Sequence, residues 1–416
     1  MNTQGKIDLK INHPDILVVD DSTSYRRLLS HPLRQWGYTV HEAEDGQQAL
    51  DLILSKRISM VISDWEMPML DGPELCRAVR DANLDRYVYF LLVTARGSAE
   101  DLVVGMDAGA DDFLTKPINP QELRVRLRAG HRVLDLEAGL AERNQRLNDA
   151  YRMIENDLKA AAQLQRSMLP SKDRHIPHMD CRWLFLPSQY VSGDMHNYFQ
   201  LSKTQMGFYS VDVSGHGVKP AMLSVTLNRV LSHGSQPGLI KRAIPEEPYY
   251  QLLEPNEVIT ALNQQFQMTA EDSTYFTIVY GILDLTTGQG TLCRAGHTVP
   301  LLIHADGRSE RLEQGGLPIG MIEDAQYENE SFQLLAGSRI CLYTDGITEC
   351  EQQDGEQYGE DRLHAFLLKR HTLNLEHVLL ELEQQLRQWQ GVERVCFEDD
   401  VSILILAYQP DLADVC

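Results

Sequence analysis

The sequence predicts a multidomain protein in which an α/β doubly wound domain and an α+β sandwich are joined by one long helix. Three observations predict this. Short apolar runs alternate with helical patterns before residue 131, residues 121–169 contain no proline, and long β runs with grouped helices follow Pro170. We expect a polar leader at 1–13, the α/β domain at 14–131, the linker helix at 132–170 and the sandwich at 171–416.

The composition is typical of globular domains with large cores. Of the 416 residues, 43% are hydrophobic and 24% are charged. A formal net charge of −22 argues against binding to a nucleic-acid backbone. No apolar run approaches the roughly 18 residues of a membrane span, so we expect a cytoplasmic protein with no membrane partner. The seven cysteines are scattered and never spaced C-x-x-C, which indicates buried thiols.

Polar side chains follow the strands of the predicted α/β domain. Asp20 and Asp21 follow the first strand and Asp64 follows the third, while Thr94 and Lys116 follow the fourth and fifth. These strand ends meet at one crevice, where three carboxylates repel one another unless a hard cation such as Mg²⁺ joins them. With the metal bound, Asp64 can act as a nucleophile toward a phosphoryl donor. The predicted strands are 16–19, 40–43, 60–63, 90–93 and 113–115.

The same stretch resembles the CheY-like receiver domain of two-component response regulators. The resemblance implies that Asp64 is the phosphoacceptor and that a cognate histidine kinase supplies the phosphoryl group. It implies that Asp20, Asp21 and the backbone carbonyl of Glu66 hold Mg²⁺ with Asp64, and that Phe113 is the switch aromatic beside Thr94 and Lys116. A small-molecule α/β domain with acidic loops is the alternative. The likeness rests on the Asp20-Asp21 pair, Ser63-Asp64-Trp65-Glu66-Met67-Pro68, Asp71-Gly72, Val93-Thr94-Ala95 and Lys116-Pro117.

The proline-free stretch 121–169 predicts one helix of about 70 Å. Apolar residues at seven-residue spacing are typical of a two-stranded coiled coil, so we expect a homodimer. Arg143 and Asp157 fall on inner positions, which weakens the seam. A solvated spacer is the alternative. The heptad positions are Val133, Leu140, Leu147, Ile154, Ala161 and Met168.

Beyond Pro170, four acidic motifs stand at strand ends or turns. Each is weak alone, because Asp-Gly pairs such as Asp45-Gly46 commonly form turns. Asp345-Gly346 differs, since it directly follows a predicted buried strand at 339–343. The other predicted strands are 181–186, 206–211, 276–284, 290–294, 301–304 and 401–407, with helices at 217–231, 255–268, 363–371 and 375–389. The motifs are Gly193-Asp194, Asp212-Val213-Ser214-Gly215-His216-Gly217, Asp345-Gly346-Ile347-Thr348-Glu349 and Asp399-Asp400-Val401-Ser402.

In this order the motifs resemble those of the type 2C (PPM) serine/threonine phosphatases, specifically the SpoIIE-like branch that dephosphorylates anti-sigma-factor antagonists. The resemblance implies an αββα sandwich and two Mn²⁺ or Mg²⁺ ions. Asp212 would bridge the ions and the Val213 carbonyl would complete one shell. Asp345 and Asp399 would hold the other side, and Asp194 would bind or orient metal-bound water. Two such ions generate a hydroxide that attacks phosphorus in line, without a covalent enzyme intermediate.

Three residues leave details of the chemistry open. Asn197 stands where the family commonly has a second aspartate, His216 is a candidate general acid that equally suits a role in its glycine turn, and His297 is expected to be structural. The leading hypothesis is a response regulator whose protein-phosphatase output is governed by phosphorylation of Asp64. The alternative is an adaptor that binds a sigma-factor regulator through a vestigial phosphatase domain. Retention of all four aspartates favours the enzyme.

Overall fold

The chain divides into two compact units, Met1–Arg152 and Met153–Cys416. The computed structural model describes residues 14–95, 99–231, 238–247, 249–269, 271, 273–391 and 397–410. Five cysteines within these residues are buried free thiols, as predicted. Cys396, Cys416 and the predicted leader at 1–13 lie outside the described residues. Within the described part of the chain, no helix is both long and apolar enough to cross a membrane.

The first unit is a five-stranded parallel sheet with the strand order β2-β1-β3-β4-β5, which confirms the predicted doubly wound α/β fold. Alternate residues of the first strand pack on opposite faces, Leu17 and Val19 in one core and Ile16 and Val18 in the other. The elements are β1 (Asp15–Val19), α1 (Thr23–Gln35), β2 (Val40–Ala43), α2 (Gly46–Ser55), β3 (Ile58–Asp64), α3 (Gly72–Asp81), β4 (Tyr89–Thr94), α4 (Ala99–Asp107) and β5 (Asp112–Thr115).

One expected turn in this unit is a helix start instead. Asp45 is the N-cap of α2, and its carboxylate accepts a hydrogen bond from the backbone N–H of Gln48 at 2.7 Å. An aspartate at this position satisfies one of the unpaired N–H groups of the first helical turn. Asp45-Gly46 therefore positions α2 rather than forming a separate turn.

The long helix α5 (Pro120–Met168) runs for 49 residues, and Pro170 follows its end as predicted. Its first turns bury Leu123 and Leu127 in the core of the first unit. Further along, large apolar side chains at the predicted heptad positions, or three to four residues from them, are exposed in the single chain. These exposed side chains are Leu136, Leu140, Leu147, Tyr151, Ile154 and Leu164.

The second unit contains two five-stranded antiparallel sheets, in the orders β15-β12-β11-β8-β7 and β14-β13-β16-β17-β6. The strands are β6 (Met179–Leu186), β7 (Met195–Gln200), β8 (Gln205–Val213), β9 (Lys241–Ala243), β10 (Tyr250–Leu252), β11 (Phe276–Asp284), β12 (Gln289–Ala295), β13 (Leu301–Ile303), β14 (Ser309–Arg311), β15 (Glu330–Gln333), β16 (Arg339–Tyr343) and β17 (Val401–Tyr408). The helices are α6 (Val218–Leu231), α7 (Pro255–Gln265), α8 (Asp345–Thr348), α9 (Glu360–Lys369) and α10 (Leu375–Gln390).

The two sheets face each other, because Phe208 and Leu292 of one share a buried cluster with Ile340 and Leu404 of the other. Helices α6 and α7 pack on the outer face of the first sheet, and α9 and α10 on that of the second. This arrangement confirms the predicted αββα sandwich. The sequence pattern does not indicate β7, β9, β10, β14 and β15, because β7 carries buried polar residues and the others have only three or four residues.

Two glycines of α5 make a matched test of packing in the first unit. A Cβ at Gly130 would lie 2.7 Å from Cδ1 of Tyr89 and 2.9 Å from Cε of Met60, whereas Gly139 has no neighbour within 4 Å. We expect Gly130→Ala to destabilise the unit by about 1–3 kcal/mol through overpacking. Gly139→Ala should instead favour the helix by about 0.5–1 kcal/mol. Amide hydrogen exchange of β4 in the full chain measures the difference, and equal protection in both variants would contradict the packing.

Candidate functional sites

The first unit brings three carboxylates together at the carboxyl ends of β1 and β3. One ligand oxygen from each of Asp20, Asp21 and Asp64 lies within 4.8 Å of the others. Asp20 and Asp64 are buried, and Asp21 is exposed to solvent. In the part of the chain that the structure describes, no other set of three acidic, histidine or cysteine ligands comes this close. A cluster of carboxylate oxygens fits a hard cation such as Mg²⁺.

Lys116 lies against this cluster. Its ammonium group donates hydrogen bonds to Oδ2 of Asp64 at 2.8 Å and to Oδ2 of Asp20 at 3.1 Å. Burial raises the pKa of Asp64, and the hydrogen bond from Lys116 offsets part of that effect. The other oxygen of Asp64 accepts from the backbone N–H of Trp65 at 2.9 Å. The carboxylate predicted to accept a phosphoryl group is therefore held by two donors.

The remaining predicted receiver residues lie at the neighbouring strand ends. Thr94 is buried at the end of β4, and its carbonyl accepts from the backbone N–H of Lys116 at 2.8 Å. Phe113 is half-buried on β5, with the guanidinium carbon of Arg126 5.9 Å from its ring centre. Glu66 is exposed in the loop after β3. Its backbone carbonyl as a metal ligand stays a prediction.

The second unit forms a cleft of about 390 Å³ where its two sheets end. Asp212 of β8, Asp345 at the start of α8 and Asp399 before β17 line it. Strands from both sheets therefore deliver carboxylates to one place, although the three residues are far apart in sequence. Glu349 and Glu398 also line the cleft, and among its described lining residues there is no lysine or arginine.

These carboxylates are in an environment that disfavours their charge. Burial raises the pKa of Asp212 to about 8, and the charges of Asp345 and Asp399 add to the effect. Burial also raises the pKa of Asp345 to about 6, with a contribution from Asp399, and raises the pKa of Asp399 itself. Divalent cations would remove this repulsion, and the oxygen donors fit Mn²⁺ or Mg²⁺. Within the described residues, the three cleft aspartates do not form a ligand group as tight as the receiver triad.

Asp194 lies deeper than the three cleft aspartates. It is buried directly before β7, and its Oδ2 accepts a hydrogen bond of 2.7 Å from the hydroxyl of Thr344. Burial raises its pKa well above the usual value, and the nearby charge of Asp212 raises it further. Thr344 directly precedes Asp345 in the chain. The same short segment therefore carries Asp345 and donates a hydrogen bond to Asp194.

Asp400 is a positioning residue that sequence reasoning did not separate from Asp399. Its carboxylate accepts from the backbone N–H of Ser188 at 2.7 Å, the hydroxyl of Ser188 at 3.0 Å and the backbone N–H of Gly193 at 2.8 Å. It is therefore bound to the segment that leads to Asp194, while Asp399 faces the cleft. The available signal was the alternation of side chains entering a strand, which sends adjacent residues to opposite sides.

The amide at Asn197 belongs to a buried network. Its Oδ1 accepts from Arg174 at 3.1 Å and from the backbone of Tyr198 at 2.9 Å, and its Nδ2 donates to Asn228 of α6 at 3.0 Å. Asn197, the residue that departs from the family pattern, therefore lies on β7 and is bonded to α6. It is not among the described residues that line the cleft.

The two histidines have different surroundings. His216 lines the cleft, with its Nδ1 3.1 Å from the amide nitrogen of Gln189, which donates to it. His297 is buried, 3.1 Å from the hydroxyl of Ser210, and burial lowers its pKa to about 4. Of the two, His216 lies in the lining of the cleft with the aspartates, and His297 contacts a core residue.

The fold and the two sites define a response-regulator receiver joined to a type 2C phosphatase domain. The model described as "Response regulator receiver domain" matches residues 16–128, and that described as "Stage II sporulation protein E (SpoIIE)" matches residues 202–409. The second match covers half of the chain, so the chain belongs to the SpoIIE family.

Individual relatives resemble one part of the chain each. Response regulator MprA of Mycolicibacterium vanbaalenii is 48% identical over 114 residues, which are 27% of this chain and 48% of that protein. MprA of Mycobacterium ulcerans is 46% identical over 122 residues, which are 29% of this chain and 52% of that protein. The chain thus spans about half the length of the curated relatives it matches. The structure of the SiaA-PP2C domain of Pseudomonas aeruginosa has a TM-score of 0.52 at 22% identity, covers 62% of this chain and 99% of that domain, and shows a shared fold.

Gly346 offers a test of how closely the cleft is packed. A Cβ at this position would lie 2.0 Å from the backbone carbonyl oxygen of Asp400, so alanine must push the segment carrying Asp399 away from Asp345. We expect Gly346→Ala to cost about 1–3 kcal/mol of stability and to weaken Mn²⁺ binding at the cleft by about tenfold or more. Thermal unfolding and calorimetric Mn²⁺ titration measure the two effects. Gly139→Ala is the control, and unchanged Mn²⁺ affinity in Gly346→Ala would refute the role of this close packing in holding Asp345 near Asp399.

Proposed function

We propose that this chain is a response regulator whose output is metal-dependent hydrolysis of phosphoserine or phosphothreonine in a protein. The observation that carries the proposal is the cleft in which Asp212, Asp345 and Asp399 converge with no described lysine or arginine to balance their charge. We assign the receiver to 14–131, the coiled-coil linker to 132–170 and the phosphatase to 171–416.

In this proposal, the cleft holds two Mn²⁺ or Mg²⁺ ions. The ligands on one side are Asp212 and the Val213 carbonyl, and those on the other side are Asp345 and Asp399. Asp194 orients water. When bound, such ions activate water and neutralise the phosphoryl oxygens. The hydroxyl of Thr344 holds the carboxylate of Asp194 in one orientation.

His216 is the side chain available to pass a proton to the departing serine or threonine oxygen. It lies in the cleft lining, and its hydrogen bond with Gln189 orients the imidazole ring. A histidine is suited to this step because its usual pKa lies near neutrality.

The substrate class and the partners follow from the family resemblance. We propose that the substrate is a phosphorylated anti-sigma-factor antagonist and that a histidine kinase phosphorylates Asp64. The exposed apolar positions of α5, including Leu140, Leu147 and Ile154, support pairing with a second copy of the chain as a coiled coil.

Replacement of Asp212 tests the enzyme. We expect Asp212→Asn to lower Mn²⁺-dependent hydrolysis of p-nitrophenyl phosphate by about 100-fold or more, because even indirect disturbance of a metal site costs about 10–100-fold. Asp306→Asn changes an aspartate of an exposed turn and should leave the rate unchanged. Equal rates in wild type and Asp212→Asn would favour the adaptor alternative.

The substrate class has its own assay with the same variant. Wild-type protein should release inorganic phosphate from a purified phosphorylated anti-sigma-factor antagonist, and Asp212→Asn should not. Hydrolysis of p-nitrophenyl phosphate without release from such a phosphoprotein would keep the enzyme and exclude this substrate.

Phosphorylation of Asp64 is testable with a small phosphodonor. We expect acetyl phosphate with Mg²⁺ to add one phosphoryl group to the chain by mass, and none to Asp64→Asn, because Asp64 is the proposed phosphoacceptor and Lys116 holds its carboxylate. Turnover and oligomeric mass should then differ between Asp64→Ala and wild type treated with beryllofluoride. Identical turnover and mass in both would refute regulation through the receiver.

A further inference from the structure

A buried glutamine of the long helix is hydrogen-bonded to the segment that ends at Asp194. Gln165 of α5 is only 3% exposed. Its Oε1 accepts from the backbone N–H of Ser192 at 3.0 Å, and its Nε2 donates to the carbonyl of Ser192 at 2.6 Å. The carboxamide therefore pairs with both backbone groups of one residue, as a neighbouring strand would. A buried side chain with this pairing has one satisfied orientation.

The same carboxamide also contacts helix α6. Its Nε2 donates to the hydroxyl oxygen of Ser224 at 3.1 Å, and that oxygen lies 3.2 Å from the carbonyl oxygen of Ser192 and 3.0 Å from that of Ala221. Gln165, Ser192 and Ser224 thus form a closed set of polar contacts that links α5, the loop before β7 and α6. We call this set the Gln165 clasp.

The loop held by the clasp, residues 188–194, has a second contact with α5. The hydroxyl of Tyr190 donates to the carboxylate of Glu155 at 3.1 Å, near the surface. Glu155 and Gln165 are ten residues apart, or roughly 15 Å along the helix axis. Two contacts at this separation define both the rotation and the axial position of this part of α5 against the loop.

On its other side, the loop contacts the predicted catalytic groups. The backbone N–H of Asp194 donates to the hydroxyl of Ser192 at 3.0 Å, and Gln189 donates to His216 at 3.1 Å. Asp400 anchors both ends of the loop through Ser188 and Gly193. A shift of Ser192 would therefore change the positions of both Asp194 and His216.

We propose that Gln165 is a positioning residue of the phosphatase, which places Asp194 and His216 by holding Ser192 from the linker helix. The inference rests on the proposed function, since it requires that the cleft aspartates bind metal. It adds a defined point at which the end of α5 acts on the active site: a change in the rotation or register of the helix would withdraw the carboxamide from Ser192.

The test compares two glutamines of the same helix in the full chain. Gln165→Met preserves the length of the side chain and removes all three of its hydrogen bonds, whereas Gln163→Met changes an exposed glutamine two residues away. We expect Gln165→Met to raise the Mn²⁺ dissociation constant of the cleft by about 10-fold or more, as for other residues that orient metal ligands. It should also lower kcat for p-nitrophenyl phosphate, and Gln163→Met should match wild type in both quantities.

In calorimetric Mn²⁺ titrations, the cleft sites are the ones that Asp212→Asn removes. The Mn²⁺ binding that remains in this variant belongs to the receiver pocket. If Asp212→Asn abolishes hydrolysis while Gln165→Met keeps wild-type Mn²⁺ affinity and kcat, the role of Gln165 is refuted and the proposed function survives. If Asp212→Asn hydrolyses normally, the proposed function itself fails.

Ser224→Ala is a second variant in case Gln165→Met does not fold. It removes the hydroxyl from the clasp and leaves both bonds between Gln165 and Ser192 in place. We expect a smaller rise in the Mn²⁺ dissociation constant, of about 2–5-fold, which is the size of change produced by a single neutral hydrogen bond. An affinity identical to that of wild type would overturn the proposal.

Discussion

Repulsion among carboxylates that are partly or fully removed from solvent is the constraint on which the cleft of the sandwich domain depends. Asp194, Asp212, Asp345 and Asp399 come from four separate segments, and burial raises the pKa of each. Without a cation, such an arrangement opposes folding, since each carboxylate loses its hydration and gains like-charged neighbours. The surrounding groups are arranged to hold it nevertheless: Thr344 donates to Asp194, and Gly346 allows the Asp400 backbone to approach Asp345. The two sheets share a buried apolar core, and close-packed interiors of this kind resist the deformation that would separate the acids.

The receiver also places carboxylates close together, but there a lysine balances their charge. Asp20 and Asp64 are buried beside each other, but the ammonium group of Lys116 lies within hydrogen-bonding distance of both. That pocket carries its own balancing cation, whereas the described lining of the sandwich cleft has no lysine or arginine. The difference suits their proposed chemistry, because Asp64 must stay available to form a bond to phosphorus, while the cleft aspartates only need to hold ions.

How much the sequence predicts depends on whether a residue's partners are set by local pattern. The receiver residues each follow an apolar strand, and parallel topology brings those ends to one edge, so their proximity was predictable from spacing alone. Asp212 and Asp345 also follow predicted strands, but those strands lie in two antiparallel sheets, so their meeting was expected only from the family resemblance. Gln165 was not, because nothing in the heptad pattern separates it from the exposed Gln163 two residues earlier. Its burial depends on a loop that begins more than twenty residues later, and no local period encodes that contact.

Asn197 illustrates how a departure from a family pattern can be compensated locally. Its carboxamide accepts from Arg174 and donates to Oδ1 of Asn228, which also accepts from the hydroxyl of Tyr209 at 2.6 Å. A carboxylate at position 197 could only accept, so it would meet the oxygen of Asn228 without a proton between them. An amide both accepts and donates, and it adds no further negative charge to a domain that already gathers four aspartates around its cleft. Asn197 therefore forms a pair with the asparagine of α6, and it lies apart from the aspartates that line the cleft.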